Sequence, residues 1–219
     1  MITVFQAVFR PEGDERYDPV RPVSGEPRVR YVRFSNRLPA GPHLGWEIRP
    51  PAFQHPDPRR QARQHKCLAH ALFPDSEFTL WLDGSLTPLV SPEQMISLLG
   101  ANDIAAFDRR KRRCAYAEAA EMARKRRDDP RLIHRQARRY HREGYPPDHG
   151  LCATTAVLRR TCPQIEGFNE LWWSEIARGC NRDQVSVNYC LWRLGLKWSA
   201  LPGRWNRSPW FDWRPHYQT

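Results

Sequence analysis

The chain has 219 residues, 40% of them hydrophobic and 11% aromatic, enough apolar material for one globular core. This composition excludes a collagen-like, coiled-coil or wholly disordered chain. Thirty-five Lys plus Arg against 24 Asp plus Glu leave a net +11, the balance of a protein with an anionic partner.

Residues 1–9 read as a buried strand, and the Pro-, Gly- and charge-rich stretch through Pro27 as a loop. Residues 29–34 alternate apolar and basic side chains, the pattern of a half-exposed strand. The proline-rich stretch 39–60 has no periodicity and reads as an excursion around Trp46 and Ile48. Residues 60–72 suit a helix that stops at Phe73-Pro74-Asp75, and 78–82 is an apolar run suited to a central strand ending at Asp83-Gly84-Ser85. Ser91 is an N-cap for a helix with Pro92 first and Gln94 third, closed by Gly100. A strand over 104–107, a helix over 114–127 and a β-branched strand over 151–158 follow. Helices over 168–178 and 183–194 come next, the second stopped by Gly195. The aromatic tail 199–219, with Trp205, Trp210, Phe211, Trp213 and Tyr217, is expected to lie against the rest. Strands alternating with helices predict an α/β sandwich, a mostly parallel central sheet with flanking helices, in one domain over 1–219.

No run approaches the roughly 20 apolar residues of a membrane span, and mean hydropathy is -0.74. Met1-Ile2-Thr3-Val4-Phe5 carries no basic signal-peptide region, so a cytoplasmic protein is expected. The six cysteines contain no CxxC pair and read as buried reduced thiols.

Between residues 109 and 142 lie 14 Lys and Arg and four acids, a net +10 within 34 residues. Such a helical segment is either a solvated face or a phosphate-binding surface. Counterion release suits a duplex, and the absence of interleaved aromatics argues against single strands. Arg124, Arg126, Arg127, Arg135, Arg138 and Arg139 are the candidate acceptor-binding residues.

Asp83 stands where a strand ends and a glycine turn begins, at the sheet edge where α/β proteins bind ligands. There it either caps the turn or holds a divalent ion that neutralises a diphosphate. The run from Lys66 through His70 to Asp75, followed by Leu80-Trp81-Leu82-Asp83-Gly84-Ser85, resembles the glycosyltransferase-like domain of the plant turgor-regulation and mucilage-related proteins and their bacterial relatives. Arg113 to Glu118, Gln136 with Tyr140, Gly144-Tyr145-Pro146, Gly150-Leu151, Leu158-Arg159, Leu171-Trp172-Trp173-Ser174-Glu175 and Arg182-Asp183-Gln184-Val185-Ser186 extend the resemblance in the same order, over about residues 4–198.

The resemblance implies a GT-A-like nucleotide-sugar-binding fold. Asp83 would occupy its DxD position, with Ser85 in place of the second acid, and a nucleotide-sugar donor such as a UDP-sugar would bind with Mn2+ or Mg2+ on Asp83. Asp183 and Gln184 would face the donor sugar. Glycosyl transfer needs negative charge near an oxocarbenium-like sugar and positive charge near the departing diphosphate. Asp183, Gln184 and Glu175 are the catalytic candidates, and Arg63, Lys66, His70, Asp83, Ser85 and Arg113 the donor-binding ones, with Arg109 a further cation for the diphosphate.

Alone, Asp183 is also an ordinary helix-start acid, His70 a structural histidine, and the Trp172-Trp173 pair core. The favoured acceptor is a hydroxymethylated base in duplex DNA, as in phage DNA modification. The alternatives are a cell-surface or lipid-linked glycan, or a non-catalytic nucleic-acid-binding module. A hydrolase reading lacks a Gly-x-Ser-x-Gly elbow or a zinc signature.

Overall fold

A computed structural model describes residues 1–14, 20–109 and 113–215. Strands β1 (Ile2–Val8), β2 (Val29–Ser35), β3 (Gly41–His43) and β4 (Trp46–Arg49) come first. Helices α1 (Pro58–Cys67) and α2 (Ala69–Leu72) lead to β5 (Phe78–Leu82) and β6 (Leu86–Pro88). Helix α3 (Pro92–Met95) continues as a 3-10 turn, and β7 (Ile104–Asp108), α4 (Ala115–Arg124), α5 (Pro130–Arg142) and β8 (Cys152–Arg160) follow. Helix α6 (Pro163–Arg178), a 3-10 turn at Asp183–Val185, α7 (Val187–Arg193), β9 (Ser199–Leu201) and β10 (Phe211–Trp213) complete the order.

Eight strands form one sheet in the order β3-β4-β2-β1-β5-β8-β7-β9, while β6 pairs with β10. The pairs β4-β2, β2-β1, β1-β5 and β7-β9 are parallel; β3-β4, β5-β8 and β8-β7 are antiparallel. The expected α/β sheet, mostly parallel with flanking helices, is therefore present, with β8 running against both neighbours.

Alternation along the central strands gives the sheet two apolar faces. On one, Phe5, Ala7, Phe34 and Trp81 pack with Cys67 of α1, Phe168, Trp172 and Ile176 of α6, and Val187 and Leu191 of α7. On the other, Ile2, Val4, Leu80 and Leu82 pack with Met95, Leu99 and Phe211, and Trp205, Trp210 and Trp213 of the tail lie against them. Tyr217 lies outside the described residues, as do Arg110, Lys111 and Arg112 of the basic segment. All six cysteines are free; Cys67, Cys152, Cys180 and Cys190 are buried, Cys114 and Cys162 half-buried.

Several boundaries differ from the sequence reading. The stretch expected to be an irregular excursion contains β3 and β4, and Pro42 is tolerated because β3 is an edge strand. Strand β2 is buried over Tyr31–Ser35 rather than half-exposed, because Arg33 is covered and donates to Gln6 at 3.3 Å. Helix α1 starts at Pro58 because Asp57 accepts from the Arg59 amide at 2.8 Å and Pro58 fits the first turn. It breaks at Leu68, where the buried Arg159 guanidinium donates to the carbonyls of Lys66 at 2.8 Å and Cys67 at 3.2 Å. The basic segment is two helices, α4 and α5, the second capped by Asp129 with Pro130 following.

Candidate functional site

The carboxyl ends of β1 and β5 and the first turns of α1 border a cleft lined by Val8, Phe9, Arg10, Arg59, Arg63 and Asp83, among others. Asp83 ends β5 because its amide donates to Thr155 on β8 at 2.7 Å and its carbonyl accepts from Leu86 at 2.8 Å, closing the turn. One carboxylate oxygen accepts from the Trp81 indole at 2.8 Å and lies 3.8 Å from the Lys66 ammonium. The side chain keeps about a quarter of its surface exposed, so it reaches the cleft.

Lys66 comes from α1 and is fully buried. Its ammonium lies 5.4 Å from the Trp81 ring and 5.7 Å from the Trp172 ring, both within cation–π range. It bonds Asp183, whose carboxylate also takes the Thr154 hydroxyl at 2.8 Å, the Gln184 amide at 3.1 Å and the Arg63 guanidinium at 3.3 Å. The Trp172 indole and Ser186 hydroxyl hold the Asp183 carbonyl at 3.3 and 3.2 Å. Burial pushes the Asp183 carboxyl up, but Arg63, Lys66 and Arg182 outweigh it and hold the group well below the usual carboxylate range. Asp183 is therefore a fixed anion with both carboxylate oxygens held, not a proton shuttle. Burial lowers the Arg63 pKa, but Asp183 and Asp83 outweigh it, so Arg63 stays charged.

Arg63, Lys66, Asp83, Asp183 and, through Arg109, Gln184 are thus brought together: Arg109 donates to the Gln184 side chain and pairs with the buried Glu118 of α4 at 3.2 Å. Other sequence candidates lie elsewhere. Glu175 is buried between α5 and α6, where Arg139, Arg178, Tyr140 and Gln136 take its carboxylate. Burial raises that carboxyl and those partners, Arg139 first, bring it below its ordinary value. His70 lies against α6, 3.1 Å from Glu170 and 3.2 Å from Asn169, whereas Lys66 bonds Asp183. Ser85 is buried, and Arg113 is exposed.

Of the candidate acceptor residues, Arg139 is committed to Glu175 and to Glu143 at 3.2 Å, 5.0 Å above the Tyr140 ring. Arg124 is bidentate to Glu121 at 2.8 and 2.9 Å. Arg126, Arg127, Arg135 and Arg138 are exposed. Helical spacing aligns Arg135 and Arg138 with Arg131, His134, His141 and Arg142 on the outer face of α5. Among the described residues, Arg131, Arg135, Arg138 and Arg142 form no ion pair.

The sequence reading missed Arg10, Arg59, Thr154 and Trp81. Arg59 was findable one turn before Arg63 on the same helix, and Arg10 just past the end of β1. Nothing local marks Thr154 as a partner of a residue 29 positions away.

A divalent ion of the kind that a DxD motif carries is held by one or two carboxylates together with substrate phosphate oxygens, and a cation already beside the carboxylate opposes it. Here one carboxylate reaches the cleft, its neighbour two residues on is a buried serine, and a lysine lies against it. Among the described residues no group of three His, Cys, Asp or Glu side chains forms a metal site. This donor set does not fit a metal on Asp83.

Residues 48–201 match the model of the TOD1/MUCI70, glycosyltransferase-like domain family. A curated relative from Arabidopsis thaliana, the probable hexosyltransferase MUCI70, is 31% identical over 145 residues, covering 60% of this chain. The match spans a quarter of that relative's length. Among solved structures, a glycosyltransferase involved in glycosylation of the major capsid of PBCV-1 aligns with TM-score 0.39 and 12% identity, over 71% of this chain and 65% of its own. The bifunctional glycosyltransferase WbbM aligns with TM-score 0.44 and 10% identity, over 80% of this chain and 33% of its own. At these scores neither bears on what the chain does. No helix among the described residues is long and apolar enough to cross a membrane.

Proposed function

The chain belongs to the TOD1/MUCI70 glycosyltransferase-like domain family, and from that premise we propose that it transfers a hexose from a nucleotide-sugar donor to a hydroxyl of a glycan acceptor. The observation that carries the reading is the cleft at the ends of β1 and β5, where Arg10, Arg59 and Arg63 stand beside Asp83 over the buried Lys66–Asp183 pair. Negative charge developing on a departing diphosphate meets guanidinium groups already held in place. Asp83, the carboxylate that reaches the cleft, is the group for the sugar side. Asp183 keeps Lys66 and Arg63 in position, and Arg109 orients Gln184.

The exposed arginines of α5 favour an acceptor bearing anionic groups. The relative's name, a probable hexosyltransferase, supports a hexose as the group transferred; the acceptor we propose is an acidic saccharide. The duplex DNA acceptor expected from charge and fold-level analogy finds no support in the comparisons.

The test is release of nucleoside diphosphate from a panel of nucleotide hexoses, UDP-, GDP- and ADP-linked, with neutral and acidic oligosaccharides as acceptors. At least one donor should turn over, faster with an acidic acceptor, and Asp83→Asn should abolish turnover without lowering Tm by more than a few degrees. Turnover by Asp83→Asn equal to wild type would remove Asp83 from the site.

A further inference from the structure

The residues around Asp83 are arranged as though the cation were already supplied by the chain. Lys66 stands between two carboxylates, bonded to Asp183 and 3.8 Å from Asp83, with the Trp81 and Trp172 rings on it and no exposed surface. A lysine so deeply desolvated is costly unless opposite charge surrounds it, and the two aspartates are that charge. The Trp81 indole takes a further Asp83 position at 2.8 Å. Asp183 is itself held by the chain, Oδ2 by Lys66, Thr154 and the Arg63 ion pair and Oδ1 by the Gln184 amide. Ser85 brings no second charge.

On the cleft side the balance is the reverse. Arg10, Arg59 and Arg63 line the opening beside Asp83, with Arg10 also paired to Asp14 at 3.9 Å and Arg63 to Asp183 at 3.3 Å. Arg59 is exposed and forms no ion pair among the described residues. Guanidinium groups offer planar, paired donors that match phosphate oxygens.

We propose that this cleft binds the diphosphate of a nucleoside diphosphate without a divalent metal: Arg59 and Arg63 contact the phosphate oxygens, and Lys66 neutralises Asp83 and Asp183 from beneath. Lys66 is here a positioning residue, since it is too buried to touch the ligand. The inference rests on the donor-binding reading above and adds the means by which the charge of that donor is met.

The experiment is isothermal titration of the purified chain with UDP, GDP and ADP, each in EDTA and in millimolar Mn2+ or Mg2+. At least one nucleotide should bind with an affinity that changes less than about twofold between the two conditions. Arg59→Gln, an exposed substitution that leaves the fold alone, should weaken that affinity about tenfold, the worth of one charge-assisted contact. Lys66→Ala frees the two carboxylates and should make binding Mn2+-dependent, which a merely structural role would not do. Where that variant fails to fold, the wild-type comparison and Arg59→Gln still decide. Binding by wild type only with divalent metal would overturn the inference and leave the glycosyltransferase reading standing. Binding unchanged by Arg59→Gln would overturn the placement of the phosphates. No binding of any nucleotide in either condition would overturn both.

Discussion

In the cleft, Lys66 is enclosed by Asp183 and Asp83 and Arg63 is paired with Asp183, whereas on α5 Arg131, Arg135, Arg138 and Arg142 have no carboxylate partner among the described residues. Charge density along the sequence points to the second region, since 14 of the 35 cations fall within residues 109–142. The chemistry points to the first. A buried cation bound to two anions has its energy committed before any ligand arrives, so its loss damages the fold. An exposed guanidinium in water contributes little to stability and stays available to a partner.

The largest expected effect is that of Asp183→Ala. It leaves Lys66 and Arg63 with Asp83 alone to offset them, and should cost about 3–5 kcal/mol. Urea denaturation measures it. Replacing Arg131, Arg135, Arg138 and Arg142 with Gln should change stability by no more than about 0.5 kcal/mol per site. A loss from the fourfold variant as large as that from Asp183→Ala would break the contrast.

A buried basic group with no carboxylate sharpens it. His65 lies among Phe9, Phe34 and Phe53, accepts from the Ala52 amide at 3.0 Å and pairs with the Gln61 carbonyl at 2.8 Å. Burial pushes its pKa down to about 4. The unfolded chain binds this proton near pH 6.5 and the folded one does not, so the stabilisation is full above pH 6.5 and is lost as pH falls toward 4. The amount is about 3 kcal/mol. Urea midpoints of wild type and His65→Gln between pH 7 and 4.5 test the sign: the wild-type slope should be the steeper.

The smallest effect on stability should be the largest on acceptor binding. The fourfold α5 variant should bind an acidic oligosaccharide more weakly and lose much of the salt dependence of wild-type binding, because screening acts on exposed charge. Titration at 50 and 300 mM NaCl reads both. Binding by wild type that ignores salt would remove α5 as the acceptor surface.

The sequence disclosed what was local. The apolar run of β5 was legible to the residue, because a buried strand flanked by turn residues has few alternatives. The cap at Ser91 and the stop at Gly100 were legible for the same reason. Strands β3 and β4 were not, since proline and glycine conceal a short edge hairpin. The end of α1 was not, since it is set by Arg159, more than 90 residues away. In the site, Lys66, Arg63, Asp83 and Asp183 were each nameable, but nothing in their spacing says that the lysine sits between the two acids. The setting of Glu175 was not legible, because its helix neighbours gave no sign that α5 would supply Arg139 and Tyr140 to its carboxylate.

The turn after β5 is fastened from parts of the chain far apart in sequence: Thr155 holds the Asp83 amide, while Arg21 at 3.3 Å and the Arg214 amide at 3.0 Å both donate to the Ser85 carbonyl. Its shape is thus decided before any donor enters, and an arriving donor has little disorder to remove there. Ordering a free side chain on binding costs roughly 0.5–1.5 kcal/mol, and a turn already fixed by β8, the first loop and the final strand spares that cost. Association of the proposed donor at this edge of the cleft should therefore be a docking onto a finished surface, with rates governed by how ligands arrive rather than by how the chain rearranges.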